Sequence, residues 1–318
     1  MHSEPKTECL PDVFGWDYFR AFSCGFPGAG VSLYSIFCLE TGLRIWVFFF
    51  LCNMDSTHEK AASVPLFFRK AGEGPPLLIL HGVFGSCDNW LTVSKYFMPH
   101  FEVFLIDQRN HGRSPHSEAF SYDLLVEDLH DFALQHQLKE FYLIGHSMGG
   151  KVAMKFASKF PEKLVKLVVV DIAPRYYSPH HQQIMAAFKS VDLEKMTSRT
   201  EADQAMAAHV NEPDVRQFLL KNLYRDEDGK FAWRINLPVL EKAVEKIGEA
   251  LGSEQTIETP TLFVKGAQSR YISEKDEEEI KKIFPDSELI TIENAGHWVQ
   301  AEKPDQFAAA VLNFFSGN

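Results

Sequence analysis

The segment "GHSMG" (145–149) sets a serine between two glycines at G-x-S-x-G spacing. A serine hydroxyl is a weak nucleophile. It needs a base to take its proton, an acid to orient that base, and donors for the oxyanion formed on attack. Here the serine stands between an apolar run, "EFYLIGHS", and a helical one, "MGGKVAMKFASKFP". Flanking glycines allow a sharp strand-to-helix turn that lifts the Ser147 hydroxyl clear of a sheet. The helix that follows aims its first amides at a developing anion, so Met148 N–H is a natural oxyanion donor. A serine that merely capped a helix would explain neither glycine.

The partners are sought at other strand ends. "HGVFGS" (81–86) closes an earlier apolar run, and Val83 N–H is the expected second donor. "NAGHWVQAEKP" (294–304) lies between the last strand and the last helix, and its His297 is the expected general base. His146 adjoins the nucleophile, and His180, His181 and His209 fall in a central helical segment. The acid is less obvious. The loop after "TLFVKG" reads Gly266, Ala267, Gln268, Ser269, with a serine where an aspartate three residues past the glycine would serve. By elimination the acid is Asp171, which ends "KLVVVD" at the carboxyl edge of the sheet, where ligand sites of such folds gather. Glu274 is the alternative. "DQRNHGRS" (107–114) reads as a loop held by side-chain-to-backbone bonds, with His111 a candidate to line a pocket.

The elements that would position these residues begin near residue 64. Short apolar runs alternate with amphipathic segments, such as "SYDLLVEDLHDFALQHQL", whose Leu124, Leu125, Leu129, Phe132, Ala133 and Leu138 share a helical face. That order implies βαβ units and a mostly parallel sheet flanked by helices. Between Pro174 and Thr259 the strand pattern stops, and a helical cap over about residues 174–238 is expected after strand 6. Within or beside it, Tyr176, Tyr177, Phe188, Trp233 and Arg234 are candidates to line the pocket.

Composition narrows the partners. A net charge of -11 argues against nucleic acid, whose phosphates need a basic face. No metal-ligand spacing is present, and no metal or organic cofactor is expected. Cys9, Cys24, Cys38 and Cys52 fall in the first 52 residues and only Cys87 beyond them, so the main body has no internal disulfide, as in a reducing, cytoplasmic setting. The apolar stretch 31–52 is broken by Glu40, Gly42 and Arg44, too soon for a stable membrane span. Residues 1–54 read as an N-terminal extension outside the fold, with Met54 a possible start; a membrane anchor or interfacial hairpin is the rival reading.

Taken together, "GHSMGGK", "HGVFGS", "DQRNHGRSPHS", "VVVDIAP", "FAWRINLP" and "NAGHWVQAEKP" resemble the YbfF-type esterases, which include the α/β-hydrolase domain-containing protein eleven subfamily. The resemblance runs from about residue 64 to the C-terminus, and residues 1–53 match nothing in the family. It implies an α/β-hydrolase fold, a Ser147–Asp171–His297 triad whose acid follows the sixth strand, and a small-molecule acyl ester or thioester, such as an acyl-CoA, as substrate. A carbon–carbon hydrolase or lyase on the same scaffold is the rival enzyme, and a non-catalytic binding protein of this fold the rival from another class. Dehalogenases and epoxide hydrolases would place an aspartate where Ser147 stands.

Overall fold

Apolar strand sequences that are buried on both faces must be covered by helices on both sides, and this requirement sets the architecture. A computed structural model describes residues 63–179, 181–252 and 256–317, together with strands between residues 20 and 45. The chain divides into two units, residues 1–60 and 61–318. In the first, β1 (Arg20–Gly25), β2 (Ser32–Phe37) and β3 (Arg44–Ile45) pair antiparallel in that order. Cys9, Cys38, Cys52 and Met54 lie outside the described residues.

The second unit holds a seven-stranded sheet of β4 (Phe68–Ala71), β5 (Pro76–Leu80), β6 (Glu102–Ile106), β7 (Phe141–His146), β8 (Leu164–Val170), β11 (Thr261–Gly266) and β12 (Ser287–Ile292). Its spatial order is β12-β11-β8-β7-β5-β6-β4, parallel except for the edge strand β4. Strand side chains alternate between faces. In β5, Leu78 and Leu80 join one core cluster with α2 (Tyr122–Gln135) and α3 (Met148–Lys159), following the short α1 (Ser94–Phe97). Leu77 and Ile79 join the other, which includes Phe307 and Val311 of the C-terminal helix. Each fully buried side chain of this size contributes about 1.5–3 kcal/mol. Ser121 caps α2 by accepting the Leu124 amide.

The insertion leaves the sheet at Val170, which ends the fifth of the seven strands in chain order rather than the sixth. It contains α4 (Gln182–Lys189), α5 (Arg199–Ala207), α6 (Pro213–Leu220), α7 (Leu237–Lys242) and α8 (Val244–Ile247). It is not wholly helical: β9 (Leu223–Arg225) and β10 (Phe231–Trp233) form an antiparallel hairpin turned at Gly229. Nor does it end near residue 238. Its stems close where Tyr177 N donates to Gly248 O at 2.7 Å and Leu251 N to Pro174 O at 2.7 Å. After it come α9 (Glu274–Ile283), α10 (Val299–Glu302) and α11 (Pro304–Ser316). Among the described residues no helix is long and apolar enough to cross a membrane.

Candidate active site

The carboxyl ends of β7, β8, β11 and β12 converge on one point. At the end of β7, Ser147 has φ 52° and ψ -116°, a left-handed backbone that costs a non-glycine residue about 1–3 kcal/mol. The turn is fixed on both sides. Ser147 N donates to Val170 O at 3.0 Å, and Lys151 N donates to Ser147 O at 3.0 Å. The glycines serve close packing: a Cβ on Gly145 would lie 2.2 Å from Gly149 O, and one on Gly149 would lie 2.6 Å from His81 O.

At the end of β8, Asp171 has φ 50° and is fully buried, its amide donating to Val264 O at 2.8 Å. Its Oδ2 lies 2.7 Å from His297 Nδ1 and also accepts the Ser269 hydroxyl, while Oδ1 accepts Gly266 N at 3.2 Å. Ser269, at the position where an acid was missing, is thus a hydrogen-bond donor to Asp171 at the end of the neighbouring strand. Three donors on one buried carboxylate hold it in a single orientation.

His297 is held from several sides. Tyr271 stacks on its ring at 3.9 Å and 19°. The His146 ring lies 4.7 Å away, and His146 Nε2 is 2.9 Å from the His297 carbonyl, which accepts its proton. Glu302 receives the Gly296 and Trp298 amides at 2.7 and 3.2 Å and so braces the loop. Among the described residues no hydrogen bond joins Ser147 Oγ to His297. Catalytic hydrogen bonds of apo sites are often long and tighten only with substrate.

The loop from β5 brings up the second amide. His81 Nε2 accepts Gln108 N at 3.0 Å, which leaves its Nδ1–H to donate to Gly82 O at 2.8 Å. Burial pushes His81 down to about 4, so it is a neutral strut. The cap braces the same loop, since Asn222 Nδ2 donates to Phe84 O at 2.7 Å. Val83, Ser147 and Met148 line one small cavity of about 20 Å³, with Tyr122, Ile172 and Ile247 as its apolar wall. A wider cleft of about 390 Å³ is lined by Gly82 and His146, which adjoin Val83 and Ser147, and by Trp298, Phe218, Lys221 and Gln300.

Of the expected pocket residues, Tyr177 lines the first cavity and the others do not. His111 is fully buried, its Nδ1 2.9 Å from Arg109 O and its ring against His81. Tyr176 is half exposed and reaches Glu245 at 3.2 Å, because the stem turns it outward. Trp233 packs edge-on against Phe188 at 5.0 Å, and Phe188 itself packs on Phe84. Arg234 lies over the Tyr224 ring at 4.2 Å, beside the hairpin. The "DQRNHGRS" loop is structural, as expected: Asp107 accepts the Cys87 and Arg113 amides, and Arg109 forms a buried pair with Asp128.

Two residues were missed. Lys151 follows Ser147 by one helical turn and is buried at the cavity wall. Its Nζ donates to Arg175 O at 2.5 Å and to Glu249 O, joining both stems of the cap, and burial pushes the ammonium down to about 7. The four-residue spacing was the available signal. Tyr271 follows Ser269 by two positions, and nothing in the sequence pattern points its ring at His297.

Residues 75–304 match the family model described as the alpha/beta hydrolase fold. The chain belongs to the α/β-hydrolase family, and it is a hydrolase. It is 40% identical over 315 residues to an sn-1-specific diacylglycerol lipase of Danio rerio, covering 93% of this chain and 96% of that one. It is 36% identical to the esterase YbfF of Escherichia coli strain K12, over 76% of this chain and 93% of the other. Among solved structures, a marine microorganism esterase superposes with a TM-score of 0.77 at 46% identity, covering 79% of this chain and all of that one. The Danio rerio alignment spans more residues than the second unit contains, so the likeness reaches into the first unit. That corrects the expectation that the N-terminal residues match nothing in the family.

Proposed function

We propose that Ser147, His297 and Asp171 form a catalytic triad that hydrolyses carboxylic esters through an acyl-Ser147 intermediate. His297 Nε2 takes the hydroxyl proton as Oγ attacks the carbonyl carbon, and Asp171 holds the imidazole with its proton on Nδ1. Val83 N–H and Met148 N–H receive the oxyanion; among the described residues neither amide has another partner. His297 then passes its proton to the departing alcohol, and water, activated the same way, releases the acid. The observation that carries this reading is the 2.7 Å Asp171–His297 contact on a fully buried carboxylate.

The small cavity beside Ser147, widened on binding, takes the acyl group and the wider cleft the alcohol. Asp214 and Glu302 oppose the single Lys221 along that cleft, a lining better suited to a neutral alcohol than to the phosphates of a coenzyme A thioester. The names of the relatives, a diacylglycerol lipase and an esterase, agree with neutral esters. A cytoplasmic location and independence from cofactors complete the reading. The test is fluorophosphonate labelling of wild type and Ser147→Ala, beside turnover of butyrate esters, monoacyl and diacyl glycerols and butyryl-CoA. Labelling that survives Ser147→Ala, or thioester turnover faster than ester turnover, contradicts it.

A further inference from the structure

We propose that Tyr271 is a positioning residue for the general base: its ring supports the His297 imidazole and stabilises the imidazolium formed when Ser147 attacks. The proposal rests on the triad reading and extends it to a residue outside the triad.

A protonated imidazole next to a tyrosine face is held by the ring quadrupole, and the attraction grows when water is excluded. Tyr271 lies almost parallel to His297, at 3.9 Å and 19°, and it also lines the cavity that holds Ser147. It therefore touches both the face of His297 and the cavity beside Ser147. The other groups facing His297 are Asp171 at Nδ1, the His146 ring at 4.7 Å and the Trp298 ring at 6.0 Å. Burial keeps His146 neutral and Tyr271 protonated, the latter pushed up to about 12, so Asp171 supplies the one full charge and Tyr271 the one stacked face.

The backbone of Tyr271 is fixed more firmly than a loop residue requires. Its amide donates to Ser269 Oγ at 3.2 Å, the hydroxyl that also binds Asp171. Its carbonyl accepts Tyr177 Oη at 2.5 Å, and Tyr177 Oη in turn accepts Ala173 N at 2.8 Å. Arg175 lies 3.9 Å from the Tyr177 ring and pairs with Asp276 at 2.7 Å. The first stem of the cap thus grips the loop from which Tyr271 reaches the base. Ser269 orients the acid and Tyr271 the base, so the loop that lacks an acid supports both.

The test compares wild type with Tyr271→Phe and Tyr271→Leu in kcat, KM and the pH profile of kcat/KM on a butyrate ester, with His297→Ala as control. Tyr271→Phe keeps the face and is expected within about twofold of wild type throughout. Tyr271→Leu keeps bulk and loses the face. Its kcat is expected to fall about 3- to 10-fold with little change in KM, and the acidic limb of its profile to move to lower pH by about half a unit to one unit. The sign follows from loss of a group that favours protonated His297. An unmoved limb in folded Tyr271→Leu, or a Tyr271→Phe as impaired as Tyr271→Leu, overturns the stacking role. Retained activity in His297→Ala would instead overturn the triad, and the proposal with it.

Discussion

Replacing Asp171 by asparagine tests the acid with the least change of shape. The carboxylate meets three donors: His297 Nδ1–H and the Ser269 hydroxyl at Oδ2, and Gly266 N–H at Oδ1. An asparagine amide can be placed in two ways. With its oxygen toward His297, its NH₂ faces the Gly266 N–H, and two buried donors oppose each other at a cost of about 1–3 kcal/mol. With its oxygen toward Gly266, the opposed donors are removed once the Ser269 hydroxyl, which also accepts Tyr271 N, rotates to accept the amide. His297 Nδ1 must then accept as well, which puts its proton on Nε2, where it faces Ser147 and cannot act as a base. The fold therefore favours the inactive tautomer by about 5- to 150-fold, since 1.4 kcal/mol is a factor of ten. Loss of the charge that stabilises the imidazolium adds to this, and the corresponding change in a serine protease costs about 10⁴-fold. We expect kcat for a butyrate ester to fall by about 10² to 10⁴, with the circular dichroism spectrum unchanged. Activity within tenfold of wild type would refute Asp171 as the acid and turn attention to Glu274. A partial return of activity in Asp171→Asn/Ser269→Asp would show that the loop of the next strand can still carry the acid.

The Arg109–Asp128 pair is fully buried and two-pronged, so Arg109→Met is expected to lose about 3–5 kcal/mol in urea unfolding. Arg109→Met/Asp128→Leu should recover most of it, and a single variant losing under 1 kcal/mol would count against the pair. His81 and His111 are buried, and that burial pushes them to about 4 and about 3. The unfolded chain therefore binds more protons than the folded one below about pH 6.5, and stability should fall as pH drops from there toward 4. Urea midpoints at pH 7 and 5 measure this, and His111→Leu should lessen the drop. Ser147→Gly relieves the left-handed backbone, so it should raise stability by about 1 kcal/mol while abolishing turnover. A thermal midpoint at or below that of wild type would contradict the strain.

The sheet was legible because its strands are largely buried on both faces and write themselves as apolar runs, as "PLLIL" and the "LVVV" that ends β8 do. Ser147 was legible because the elbow leaves no room for a side chain at Gly145 or Gly149. Asp171 was harder, since a strand-end aspartate reads the same whether it meets solvent or a histidine. The cap was the least legible part. β9 and β10 are three residues each, too short for an alternating pattern, and helical periodicity gives a buried face without saying what covers it. Trp233 and Arg234 therefore turned out to serve the cap's own packing. Tyr271 was out of reach, because a tyrosine in a polar loop carries no sign of the ring it stacks against.

Ser147 and Asp171, the proposed nucleophile and acid, are stitched to adjacent strands, Ser147 N to Val170 O and Asp171 N to Val264 O, whereas the amides either side of His297 hang on the side chain of Glu302. These attachments open at different free energies. The amides of Ser147 and Asp171 can exchange with solvent deuterium only when the sheet parts, and those of Gly296 and Trp298 whenever one carboxylate lets go. Under the proposed triad, activity is then expected to fade on warming before the sheet unfolds. Because Asp171, His146 and Tyr271 also hold His297, its loop should loosen ahead of the sheet around Ser147 and close again on cooling.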